Sequence, residues 1–205
     1  SLFTKQSPNH PMAGTANTER GKIILEKAEV EGRKAQSPAE QNNKKAHQAE
    51  ARKLVAQARD IFQKAYNLHE KTWKSFPATF IDKQKEPEKY EARAKAEIQF
   101  MSAQLDLAQC TYAEAQTYDP GSADFNRLLK KAAEEYAKIH ERYRSQVGGL
   151  YARMWQGKCF EEQGELGQAL GVYNELLGHP GNSSAIKSLK DNCLQFRLIC
   201  MNDEK

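Results

Sequence analysis

The side chains with the chemistry to catalyse or to bind metal are few. They are four cysteines (Cys110, Cys159, Cys193, Cys200), five histidines (His10, His47, His69, His140, His179) and the acidic pairs Glu134-Glu135 and Glu161-Glu162. Structural zinc needs Cys and His at short spacings, commonly as CxxC pairs. No CxxC occurs, and no histidine stands at ligand spacing from a cysteine. Each cysteine falls at an inward position of a predicted helix and reads as a reduced, buried, small apolar side chain. One cross-helix disulfide stays open. His69 and His140 fall on polar helix faces, and His179, before Pro180, reads as a solvated imidazole in a turn. No histidine has an evident acid or nucleophile beside it. Neighbouring helix positions point about 100° apart, so neither acidic pair makes a carboxylate dyad. HExxH, GxSxG, P-loop and GxGxxG motifs are absent. The expectation is therefore no catalytic residue, no metal, no cofactor and no enzyme.

Helices must position whatever else these residues do. Charged residues make up 28% and hydrophobic ones 39% of the 205, and the mean hydropathy is -0.82. A solvated surface over a narrow core suits paired amphipathic helices. The abundant Ala, Glu, Lys, Gln and Leu lose little rotamer freedom in a helix. No apolar run approaches the roughly 20 residues that span a bilayer. The chain opens on Ser1, so an upstream signal or anchor is left open. Compartment stays unassigned: cytoplasmic, or envelope-associated if such a signal precedes Ser1.

In chain order, SLFTKQSPNHPMAGTANT reads as an extended arm. A helix follows over 19–35, with Ile23, Ile24, Lys27 and Val30 as its apolar face. Residues 1–37 together are a flexible or partly helical basic arm, and 38–205 the helical domain. Ser37-Pro38 with Glu40 fits a capping box. A long helix over 38–76 carries Ala51, Leu54, Ala58, Ile61, Ala65, Leu68 and Thr72, with Val55 and Phe62 widening the stripe. After a loop containing Phe80 and Ile81, a helix over 88–118 carries Ile98, Met101, Leu105, Ala108, Tyr112 and Ala115. The next, over 123–144, buries Phe125, Leu128, Leu129, Ala132, Tyr136, Ile139 and Tyr143. Val147-Gly148-Gly149 is read as a break. A last helix, capped by Ser183 or Ser184, aligns Ile186, Leu189, Cys193, Phe196 and Cys200.

Between them, ARMWQGKCFEEQGELGQALGVYNELLGHP (152–180) reads as two short helices joined at Gln163-Gly164-Glu165. Small residues (Ala152, Gly157, Ala169) stand where helices touch, and Trp155, Phe160, Leu166, Tyr173 and Leu176 fill the inward positions. Such a hairpin cannot bury its stripe alone and needs neighbours of its own kind.

Gly157, Phe160, Ala169, Tyr173 and Pro180 resemble the pattern of a tetratricopeptide repeat. Arg153 and Gln156 stand where Trp and Leu are typical, and Pro180 comes one residue early. Ala132, Tyr136 and Ile139 repeat the second-helix spacing, and ARDIFQKAY (58–66) echoes it. The resemblance implies an all-α fold: a right-handed superhelical stack of antiparallel helical hairpins, an α-solenoid with long first helices. An irregular helical bundle is the alternative.

Tyr151, Arg153 and Lys158 flank the inward Ala152, Trp155 and Cys159, which makes them the candidate partner-binding residues. In tetratricopeptide proteins the first helices line the concave surface, and this adds Gln156. The Lys and Asn set with which some relatives clamp a peptide carboxylate is not assembled here. The expected function is a non-enzymatic scaffold for a protein or peptide. Residues 1–75 carry 14 Lys and Arg against 8 acids, so binding of nucleic acid or an anionic surface through them is an alternative. Nucleic acid is disfavoured because acids interleave the lysines and no stacking aromatics accompany them. Self-association through the last helix or the long first one, as a homodimer, is a further alternative.

Overall fold

The computed structural model describes residues 11–203, with side chains from 16 to 202. Every regular element among them is helical. Helices α1 (Pro11–Gln36), α2 (Lys44–Lys74), α3 (Pro87–Ala115), α4 (Ala123–Tyr143), α5 (Val147–Glu162), α6 (Leu166–Leu177) and α7 (Ser184–Asp203) follow in order, with a 3-10 turn at Pro38–Asn43. The chain divides into two compact units, residues 1–113 and 114–205.

The first unit is built on α1 and α2, which lie along one another. The arm expected over 1–18 is helical from Pro11, and its first ten residues fall outside the described ones. The buried line of α1 is Gly21, Leu25, Ala28, Gly32 and Ala35. The larger Ile23 and Val30 are exposed, at 53% and 41%. This corrects the expected face, and the reason is steric: two helices that approach closely select small residues at the seam. A Cβ on Gly21 would come within 2.7 Å of the Phe62 ring. The facing line on α2 is Ala51, Val55, Ala58 and Phe62, and Leu25, Ala28, Val55, Ala58, Phe62, Cys110 and Ala113 form one core. On α3, Phe100 is buried against Tyr66 and Trp73, while Ile98, expected inside, is exposed.

Two further details of this unit differ from expectation. Ser37 stands at an N-cap position, but its side chain makes no cap hydrogen bond. Glu40 instead accepts from Asn43 and approaches His47. In the loop before α3, Ile81 is buried, Arg93 donates to the Thr79 carbonyl and Asp82 accepts from the amides of Gln84 and Lys85. Asp106 of α3 is half-buried. Burial pushes its carboxyl up to about 6, Lys22 of α1 opposes the rise and Glu19 adds to it.

The second unit follows the sequence pattern closely. Ser122 Oγ caps α4 by accepting from the Phe125 amide at 3.3 Å, and the seven expected inward residues of α4 are all buried. Ser183 caps α7, accepting from the Ile186 amide. Gly164 turns the chain between α5 and α6 at φ 76°, a left-handed conformation in which a Cβ is strained. Gly148 and Gly149 lie inside the first turn of α5 rather than in a break. A Cβ on Gly149 would sit 2.0 Å from the Tyr143 carbonyl oxygen, so glycine there lets α5 start directly against the end of α4. Successive helices pack on each other, and α5 also meets α7.

Candidate functional site

Helix α5 is the hub of the second unit, touching α4, α6 and α7, and it carries all four candidate binding residues. They part onto two sides. Tyr151 and Lys158, two turns apart, face α7. The Tyr151 hydroxyl donates to the Ala185 carbonyl at 3.4 Å, and Lys158 Nζ lies 5.1 Å from the centre of the Phe196 ring.

Arg153 and Gln156 turn the other way. The Arg153 guanidinium donates to Glu175 of α6 through Nε at 3.1 Å and Nη2 at 2.6 Å, and to Gln156 Oε1 at 2.8 Å. His140 stands 4.0 Å from the same Glu175 and donates through Nδ1 to the Gly149 carbonyl at 3.0 Å. It is thus half-buried at a helix junction rather than on a plain polar face. Gln156, with Phe160 and Gln163, lines one wall of an open groove of about 290 Å³. Lys130, Glu134 and Ala137 of α4 form the other wall.

Beneath this surface lies a polar cluster that sequence reasoning did not assemble. Tyr173 Oη donates to Glu161 Oε2 at 2.8 Å in a fully buried setting. Lys158 bonds the other oxygen of Glu161 and stands 3.6 Å from Glu162, which in turn accepts from Gln116. Burial alone would lower the Lys158 pKa, but the hydrogen bond to Glu161 and the two negative charges outweigh it and raise it. Burial, then the bond to Glu161, drives the Tyr173 phenol far above its ordinary range. The only sequence signal for this cluster is the spacing of Lys158 to Glu161 and Glu162, three and four residues on.

The four cysteines are free and buried. Burial raises all three thiols of this unit, Cys193 and Cys200 to about 11 and Cys159 further, with Glu161 adding to the effect on Cys200. Thiols held protonated are poor nucleophiles. Among the described residues no group of three or more His, Cys, Asp or Glu is placed to hold a metal ion.

Two histidines outside this site also depart from the expected readings. His179 Nδ1 accepts from the Gly181 amide at 3.1 Å. His47 reaches two acids, Glu31 at 2.6 Å and Glu40 at 3.4 Å.

Fold and site together define an all-α protein whose helices pack consecutively within each unit, with no helix among the described residues long and apolar enough to cross a membrane. No family model, curated protein or solved structure matches the chain.

Proposed function

We propose that the chain is a non-enzymatic scaffold that binds a protein or an extended peptide on a tetratricopeptide-like stack of helical hairpins. The observation that carries this reading is the packing order around α5, which lies between α4 and α6 and also meets α7. A first helix that touches both its own partner and the next first helix is the arrangement such a stack requires. The pattern residues support it: Ala169 and Tyr173 are fully buried, and a Cβ on Gly157 would fall 2.9 Å from both Tyr173 and Val172. The ligand-facing part is the α4–α5 groove, with Gln156 in its wall and Arg153 holding Gln156 in place. Tyr151 and Lys158 would act where α5 meets α7. Contacts on a preformed surface lose little ordering entropy on binding.

Affinity capture from the source cells, quantified by mass spectrometry, tests this with Gln156→Ala plus Arg153→Ala, helicity being checked by circular dichroism. A specific partner should be lost with the fold intact. Capture unchanged by this variant and by Tyr151→Ala would refute it.

One observation favours a second reading, self-association through α7. Leu194, Leu198, Ile199 and Met201 are all more than 40% exposed on this helix, and neighbouring exposed apolar side chains of this size mark an interaction surface. Sedimentation equilibrium of Leu194→Glu plus Leu198→Glu decides it: a dimer should become a monomer, and a wild-type monomer at high concentration excludes it.

A further inference from the structure

The first unit carries a groove that the α5 surface does not involve. It runs between the N-terminal half of α1 and the C-terminal half of α2, and holds about 210 Å³. Its lining includes Arg20 of α1 with Ile61, Lys64, Ala65, Leu68 and His69 of α2. Ile61, Ala65 and Leu68 follow one another at steps of four and three, so they share a single face of α2. Leu68 is 55% exposed there, a large apolar side chain left to water.

Arg20 and Lys64 flank this apolar strip from the two helices, both exposed. Some lysines of the unit have their charge matched within their own helix. Lys22, Lys34, Lys53 and Lys74 are each paired with an acid three or four residues away on their own helix. Arg20 and Lys64 form no ion pair among the described residues. Burial lowers the pKa of His69, so its imidazole is neutral near pH 7. The positive charge of the groove is therefore that of the arginine and the lysine.

We infer that this groove takes an amphipathic partner helix, its apolar side chains seated on Ile61 and Leu68 and its flanking carboxylates meeting Arg20 and Lys64. Two packed helices leave a furrow into which a third helix fits, anchored by residues spaced three and four apart. Cations without intramolecular partners complement acids on the incoming helix, which favours acidic over basic partners. A flat bilayer surface would not fill a recess between two helices. A nucleic acid would find no Phe, Tyr or Trp in the lining on which to stack a base.

The test uses the full chain, labelled with nitrogen-15, and three synthetic helical peptides of about 14 residues, roughly four turns. All share one leucine pattern and differ only in flanking residues: Glu, Gln or Lys. The Glu peptide should bind best and the Lys peptide worst, roughly tenfold apart at low salt. Amide shifts should centre on residues 17–24 and 61–69. Arg20→Glu plus Lys64→Glu, both at exposed positions, should reverse the order of the peptides, and Leu68→Asp should weaken all three. Equal affinity for the three peptides overturns the inference, as does an unchanged order in the double variant. So does absence of binding by the Glu peptide up to about 1 mM. Phosphatidylserine vesicles and single-stranded DNA are run alongside, and stronger Arg20- and Lys64-dependent binding to either also overturns it. None of these variants touches α5, so this outcome and that of the α5 experiment are independent.

Discussion

Replacing Asp106 with asparagine should make the protein more stable at neutral pH, although no packing is gained. In the folded chain the Asp106 carboxyl is pushed from 3.8 to about 6, chiefly by burial, with Lys22 offsetting part of the effect and Glu19 adding to it. The native state therefore holds this proton more tightly than the unfolded chain does. Between the two values the folded form binds more protons, so stability falls as pH rises through that window. Above it the penalty is complete; below the unfolded value it is absent. About two units at about 1.4 kcal/mol each amount to roughly 3 kcal/mol, and the partial exposure of the side chain trims this to about 2 kcal/mol. Asparagine keeps the shape and carries none of that penalty. Urea unfolding followed by far-ultraviolet circular dichroism at pH 4, 5.5 and 7.5 measures it. The variant should match the wild type at the lowest pH and exceed it progressively above. Equal stability at pH 7.5, or a gain of the same size at all three pH values, would show that desolvation of this carboxylate is not what strains the unit.

Lys158→Ala should cost about 3 kcal/mol in denaturant unfolding, because Glu161 is left buried without its cation. The triple change Lys158→Met, Glu161→Leu and Tyr173→Phe should cost less than that single change. Gly149→Ala should lower the unfolding midpoint by the equivalent of about 3 kcal/mol, since the added carbon meets fixed backbone at Tyr143. Gly21→Ala should cost about 1 kcal/mol net, the clash with the Phe62 ring being partly offset by better helix propensity. The His47 clamp should respond to pH on both sides. The His47 pKa is raised, first by its bond to Glu31, so its contribution is complete below about 6.5 and is lost as pH rises through the folded value. Glu31 and Glu40 are lowered, by bonds to Lys34 and to Asn43 first, so theirs is present above about 4.5 and lost as pH falls. Amide exchange over residues 37–47 should be slowest between these limits, and His47→Gln should abolish the upper dependence.

Large apolar residues at helical spacing made the second unit legible in the sequence. On α4 every expected residue is inside, and on α7 Ile186, Leu189, Cys193 and Cys200 are buried while Phe196 is half-buried. The first unit was less so, because α1 buries glycines and alanines beside Leu25 and exposes Ile23 and Val30, which apolarity alone does not suggest. Long-range polar partners left no local trace. Glu31 is sixteen residues from His47, across the 3-10 turn, and Tyr173 is twelve from Glu161, across the hairpin. At the candidate site the sequence placed Tyr151, Arg153 and Lys158 beside the buried Ala152 and Cys159, but Trp155, expected inside, is half-buried, and Gln156, expected on the concave surface, is buried. The sequence could not tell that Tyr151 and Lys158 meet α7 while Arg153 and Gln156 lean to α4 and α6, since that depends on where the neighbours lie.

The Lys158–Glu161–Tyr173 cluster bears on how the second unit yields to force. Leucine surfaces tolerate sliding, because one methyl group serves much like the next. A carboxylate gripped by an ammonium on one flank and a phenol on the other has a single seat, and a slip of one helical pitch, about 5.4 Å, would strand a charge in oil. Three helices are keyed at that seat: Lys158 and Glu161 from α5, Tyr173 from α6, and Phe196 and Cys200 from α7. A tug on any one of them should therefore be felt by the other two as a turn of the whole packet, like a latch rather than a hinge.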